Sequence, residues 1–98
     1  FAQNNSITLG VWTHVAVTYS GGADHSGVHL YINGSEAVYA ANNSNCTSGF
    51  NSDIAESVKI GNDKSAARSF DGSIDDVRVY NRALTPADEI KRLYNMGR

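Results

Sequence analysis

A chain of 98 residues with eight basic and ten acidic side chains carries a net charge of −2. That leaves room for one domain at most, with no basic stripe suited to a nucleic-acid backbone. Its apolar runs are far too short to span a bilayer, and no basic segment followed by an apolar one marks a signal peptide. The only cysteine is Cys46. One thiol closes no internal disulfide and builds no zinc site by itself, so it reads as an unpaired loop thiol or as a bridge to another chain or segment. Sparse charge with abundant Asn, Ser and Gly suits a secreted β-protein with long polar loops. The chain opens at Phe1 and not at a methionine, which reads as a processed or excised piece.

Residues 1–10 carry only a weak pattern. Residues 12–20 predict a strand, with Thr13, Val15, Val17 and Tyr19 on one face and Trp12, His14, Ala16 and Thr18 on the other. A Gly- and Ser-containing loop follows. Residues 28–33 predict a second strand, with Val28, Leu30 and Ile32 opposite His29 and Tyr31. Asn33-Gly34 is the strongest hairpin signal in the chain, because a type I′ turn needs positive φ at both central residues. Residues 36–40 return as a third strand.

Residues 42–53 form a polar stretch that predicts a surface loop. Residues 58–61 predict a short strand ending at Gly61-Asn62, and residues 63–69 another loop. Residues 70–80 predict the last strand, with Gly72 as a bend or bulge. The chain closes on a helix over residues 86–95. Thr85 is its N-cap, Pro86 its first residue, and Asp88 and Glu89 suit its positive end. Ala87, Ile90, Leu93 and Tyr94 form its apolar stripe, and Gly97 suits a left-handed C′ position. Trp12 reads as an anchor at the core rim.

Two segments resemble the signatures of laminin-G-like, concanavalin A-like jelly-roll modules. The first is Trp12-Thr13-His14-Val15-Ala16-Val17-Thr18-Tyr19 followed by Leu30-Tyr31-Ile32-Asn33-Gly34. The second runs from Phe70-Asp71-Gly72-Ser73-Ile74-Asp75-Asp76 through Val77-Arg78-Val79-Tyr80 to Asn81-Arg82-Ala83-Leu84-Thr85. The resemblance implies an all-β fold, an antiparallel jelly-roll sandwich with one short C-terminal helix. Such modules are usually secreted and are often attached to polysaccharide-degrading enzymes or adhesins. They are longer than this chain, so residues 1–98 read as a single partial domain of about five strands. The strands expected before Trp12 would then come from a missing segment or from a second copy in a dimer.

Candidate chemistry is sparse. Concanavalin A-like glycosidases share a Glu-x-Asp-x-x-Glu strand whose two carboxyls must lie about 5 Å apart in a retaining enzyme. Asp53 to Glu56 is only a loop pair without the first glutamate. Cys46 and three histidines carry no nucleophile motif. Asp75 and Asp76 are the candidate metal ligands. Strand parity turns Asp75 inward with Val77 and Val79, unless a bulge at Gly72 hands that role to Asp76. A buried carboxylate needs hydrogen bonds or a cation, and the resemblance implies a structural calcium there or a hydrogen-bonded aspartate.

His14, His29, Tyr31, Arg78 and Tyr80 share the second strand face. Aromatic and planar polar groups suit sugar rings, so His29, Tyr31, Arg78 and Tyr80 are the candidate ligand residues. An ordinary solvent face, or a face covered by the helix, is the alternative. Sequons occur at Asn4, Asn33, Asn42 and Asn45. The expectation is an extracellular, non-catalytic module that binds a glycan or a protein partner. The rivals are a ligand-free structural domain packed on a neighbour, and the C-terminal part of a polysaccharide-degrading enzyme.

Overall fold

The computed structural model describes residues 3–22, 25–40, 54–63 and 65–97. Cys46, Asp53 and the sequons at Asn42 and Asn45 lie outside the described residues. The chain divides into two compact units, one made of Phe1–Gly49 with Tyr80–Arg98 and the other of Phe50–Val79.

The first unit is built on a β-meander. Strand β1 (Val15–Tyr19) pairs antiparallel with β2 (Val28–Ile32), and β2 pairs with β3 (Ser35–Glu36), in sheet order β1-β2-β3. A short 3-10 turn, His25–Gly27, leads into β2, and the Ser20 N–H donates to the Gly27 carbonyl at 2.9 Å to close the first loop. The hairpin turn falls where the sequence places it. Asn33 and Gly34 have φ of 52° and 78°, and Ile32 faces Ser35 across the two-residue loop.

The strands are shorter than their hydrophobic patterns, and side chains take up backbone bonds at their ends. Before Val15 the Asn33 N–H still donates to the His14 carbonyl at 2.8 Å, while the His14 N–H turns to the Asn33 side-chain carbonyl at 3.0 Å. Past β3 the Ala37 N–H still reaches the Leu30 carbonyl at 2.8 Å. The Leu30 N–H then goes to the Tyr39 hydroxyl at 3.1 Å instead of to a backbone carbonyl.

Register puts Ala16 opposite Tyr31 and Thr18 opposite His29. This is the face that the C-terminal segment covers. Tyr31, Leu84 and Ile90 are the buried apolar core, with Ala16 and Leu93 packed against it. The opposite face stays open, with Val15 60%, Val17 65% and Val28 41% exposed. Trp12, expected at the core rim, is 71% exposed.

The predicted helix is in place but begins irregularly. A wide π-type turn, Pro86–Ile90, runs into the α-helix α1 (Lys91–Met96). The Thr85 carbonyl accepts from both the Glu89 and the Ile90 N–H, each at 3.1 Å. The second of those bonds, five residues along, widens the turn and shifts the helical phase. Ala87 is accordingly exposed while Ile90 is buried and Leu93 and Tyr94 are half-buried.

Thr85 makes no side-chain cap. Instead the Glu89 carboxylate accepts from the Thr85 N–H at 2.8 Å and from its hydroxyl at 3.2 Å. Arg82 closes the arrangement as a two-pronged donor to Glu89. Arg82, first, and then the Thr85 N–H hold the Glu89 carboxyl down at about 2. Gly97 ends the helix at φ −83°, not left-handed, with its N–H donating to the Leu93 carbonyl at 3.2 Å.

In the second unit the expected strands over residues 58–61 and 70–80 do not form a ladder. One backbone bond joins them, from the Phe70 N–H to the Gly61 carbonyl at 2.7 Å. Asp76 has φ of 53°, a left-handed conformation that breaks the extended run. The described residues therefore hold a three-stranded sheet and one C-terminal helix in place of about five strands. Gly72 has no positive φ; the Phe70 ring crowds it, lying 2.8 Å from where a Cβ would stand. Asn62 and Asp63 organise the loop that follows Gly61. Asp63 accepts from the Ala67 N–H at 3.0 Å and from the Ser65 hydroxyl at 2.9 Å, and these bonds hold its carboxyl below the ordinary range.

Candidate functional site

An organised, exposed polar cluster of the first unit lies at the β2–β3 edge. The two-residue turn places Glu36 opposite Tyr31, so Glu36 sits diagonally across from His29, within reach of a long side chain. Its Oε1 lies 2.7 Å from His29 Nδ1 and accepts from the Tyr39 hydroxyl at 2.8 Å. Tyr39 in turn accepts the Leu30 N–H at 3.1 Å, which ties the cluster to the sheet backbone. The hydrogen bond to His29, first, and that from Tyr39 lower the Glu36 carboxyl from its ordinary value. Partial burial, with the Glu36 carboxylate beside it, raises Tyr39. The side chains of His29 and Glu36 are 42% and 45% exposed, so a solute reaches both.

The structure places each of the four residues expected to contact a ligand as follows. His29 belongs to this edge cluster. Tyr31 is 2% exposed and lies in the core with Leu84 and Ile90; a ring so covered offers no stacking surface, and the face it occupies is the one the helix covers. Tyr80 is 44% exposed. Arg78 stands in the second unit. It donates from Nε to Asp76 Oδ1 at 2.9 Å and from Nη2 to Asp76 Oδ2 at 3.2 Å. His14 lies under the helix, its ring 6.0 Å from that of Tyr94. Its Nδ1 is buried without a hydrogen-bond partner among the described residues.

Asp75 and Asp76 were expected to offer a carboxylate to the interior. Both are exposed, as are Val77 and Val79 and every other residue from 71 to 80, and Asp76 is left-handed. Asp75 Oδ1 accepts the Asp76 N–H at 2.8 Å, and both Asp76 oxygens are engaged by Arg78. Calcium takes about six to eight oxygen ligands. This pair fits the ion poorly, since one carboxylate already holds a guanidinium. No group of three or more His, Cys, Asp or Glu is gathered to hold a metal among the described residues.

The family model of the concanavalin A-like lectin/glucanases superfamily, in its laminin G form, matches residues 1–90. The chain belongs to that superfamily. The match covers the meander, the second unit and the start of the helical segment. No curated protein matches the chain, and no solved structure matches it. Membership gives a β-sandwich as the fold of the superfamily and a binding or carbohydrate-active module as its general role. No helix among the described residues is long and apolar enough to cross a membrane.

Glu36 and Tyr39 are the site residues that strand patterning passed over. A signal for Glu36 was present, because Asn33-Gly34 fixes the register and thereby the partner of Tyr31 and the diagonal neighbour of His29. Tyr39 gave none. Its role depends on the chain leaving the ladder after Ala37.

Proposed function

We propose that this chain is a non-catalytic, extracellular carbohydrate-binding module of the superfamily, with the His29–Glu36 edge as its ligand contact. The observation that carries the reading is that edge. An imidazole and a carboxylate are held in a fixed geometry by Tyr39 and remain open to solvent, as sugar hydroxyls require. The superfamily joins lectins and glucanases, so membership alone leaves both roles open. The missing Glu-x-Asp-x-x-Glu motif supports binding over hydrolysis. A glycan array tests it. Binding that His29→Ala and Glu36→Ala each abolish, with unchanged thermal unfolding, is the expected result; binding indifferent to both would discard this edge as the site.

One observation favours a second reading, an interaction domain packed on a partner. The open sheet face carries Val15, Val17, Val28 and the 44% exposed Tyr19, and contiguous apolar surface marks contacts. Sedimentation equilibrium at low micromolar concentration tests it. Association that Val17→Lys removes supports the reading, and a cooperative monomer argues against it.

A further inference from the structure

The hydrogen-bond polarity of the β2–β3 edge also specifies a ligand class, given the carbohydrate-binding reading above. An ionised carboxylate only accepts hydrogen bonds. Glu36 Oε1 therefore takes a proton donor from each of its partners, Tyr39 at 2.8 Å and His29 Nδ1 at 2.7 Å. That contact fixes the tautomer. When the imidazole is neutral, the proton on Nδ1 leaves Nε2 as a lone pair. The Tyr39 proton is committed to Glu36, while its oxygen accepts from Leu30. The atoms that remain to face a ligand, Glu36 Oε2 and His29 Nε2, are both acceptors. Among the described residues no lysine or arginine forms an ion pair with Glu36; Arg82 is matched to Glu89, Arg78 to Asp76 and Arg68 to Asp63.

We propose that this edge selects glycans that offer hydrogen-bond donors, namely neutral sugars with adjacent hydroxyls or amino sugars, and rejects sulfated and uronic-acid glycans. Two neighbouring hydroxyls can donate one proton to Glu36 Oε2 and one to His29 Nε2. A sugar ammonium can do the same and also meets the carboxylate charge. The sulfate or carboxylate group of an anionic glycan brings only acceptor oxygens, and the like charge it carries repels Glu36 even where neighbouring hydroxyls could donate.

The test is titration calorimetry on the whole chain with four probes at pH 7.5 and low salt. They are a neutral gluco-oligosaccharide, a glucosamine oligomer, a galacturonate oligomer and a heparin oligosaccharide. The expected result is binding of the neutral or the amino probe, with the two anionic probes weaker by about tenfold or more, the weight of one hydrogen bond to a charged group. Glu36→Gln keeps the size of the side chain and an acceptor for Tyr39. It should narrow that gap, and the thermal unfolding midpoint serves as the check on folding. Anionic probes that bind as tightly as neutral ones, or a gap that Glu36→Gln leaves intact, would overturn the selectivity. If none of the four probes binds, the carbohydrate reading itself falls and the selectivity falls with it.

Discussion

Ile90 is the side chain on which helix docking turns. It is 1% exposed and packs with Tyr31 of β2 and with Leu84. Ile90→Ala removes three methyl or methylene groups, each contributing about 0.8 kcal/mol when buried. The transfer part is thus about 2.4 kcal/mol, and the cavity left under a thinly covered sheet raises the expected loss to about 3–4 kcal/mol. Leu93→Ala deletes as many carbons, but Leu93 is only half-buried and lies at the periphery of the core. About 1–2 kcal/mol is expected there. Urea unfolding followed by circular dichroism gives both values. With a slope near 1.5 kcal/mol per molar, the Ile90→Ala midpoint should fall by about 2–3 M. A change within about 0.5 kcal/mol, as at surface positions, would mean that the C-terminal segment does not pack on the sheet through Ile90. Equal losses for the two variants would refute the difference in burial.

Three further outcomes follow from the described contacts. The Glu89 carboxyl is held at about 2, against an ordinary value of 4.5. Its contribution to stability is therefore present above about pH 4.5 and is lost as pH falls toward 2; Glu89→Gln should flatten the stability curve across that window, and an unchanged acid slope would show that the Arg82 contact is without effect. Gly34 combines φ of +78° with a Tyr94 atom 3.1 Å from where a Cβ would sit. Gly34→Ala should cost about 1–2 kcal/mol for the backbone conformation alone, read by thermal unfolding, and a neutral result would mean that the turn relaxes. With Asp76 held by Arg78, a chelator should leave the melting temperature unchanged. A calcium-dependent rise that Asp75→Asn abolishes would reverse that conclusion.

The sequence was most legible where local chemistry fixes geometry. Asn33-Gly34 gave the hairpin, its register and so the strand partners, because few residue pairs tolerate positive φ twice. Pro86 and the stripe at Ile90, Leu93 and Tyr94 gave the helix and the face it buries. Tyr31 was harder to place. Alternation sets His29 and Tyr31 on one face but does not say whether water or a helix meets that face. The apolar set Val28, Leu30 and Ile32 suggested the opposite assignment. The stretch over residues 70–80 misled more thoroughly. Its alternation of Asp75, Val77 and Val79 is a sound strand pattern, yet Asp76 is left-handed and bonded by Arg78 two positions on, and residues of both parities are exposed from 71 to 80. Non-glycine positive φ leaves little trace in composition.

The same turn that organises the meander also builds the candidate site. Side chains alternate faces along a strand, so register decides which residues meet across it. With two residues in the loop, Ile32 faces Ser35 and Tyr31 faces Glu36, which brings a carboxylate to the histidine diagonal from it. One residue more in the loop would leave His29 where it is and turn Glu36 to the open apolar face, beside Leu30 and Ile32. The imidazole would then lose the group that fixes its proton on Nδ1, and Tyr39 would lose its acceptor. Selection for hydrogen-bond donors at this edge is therefore a property of loop length as much as of the residues that face the ligand. The tight Asn-Gly pair serves both ends: its backbone sets the register, and its Asn33 side chain accepts the His14 N–H just before the first strand.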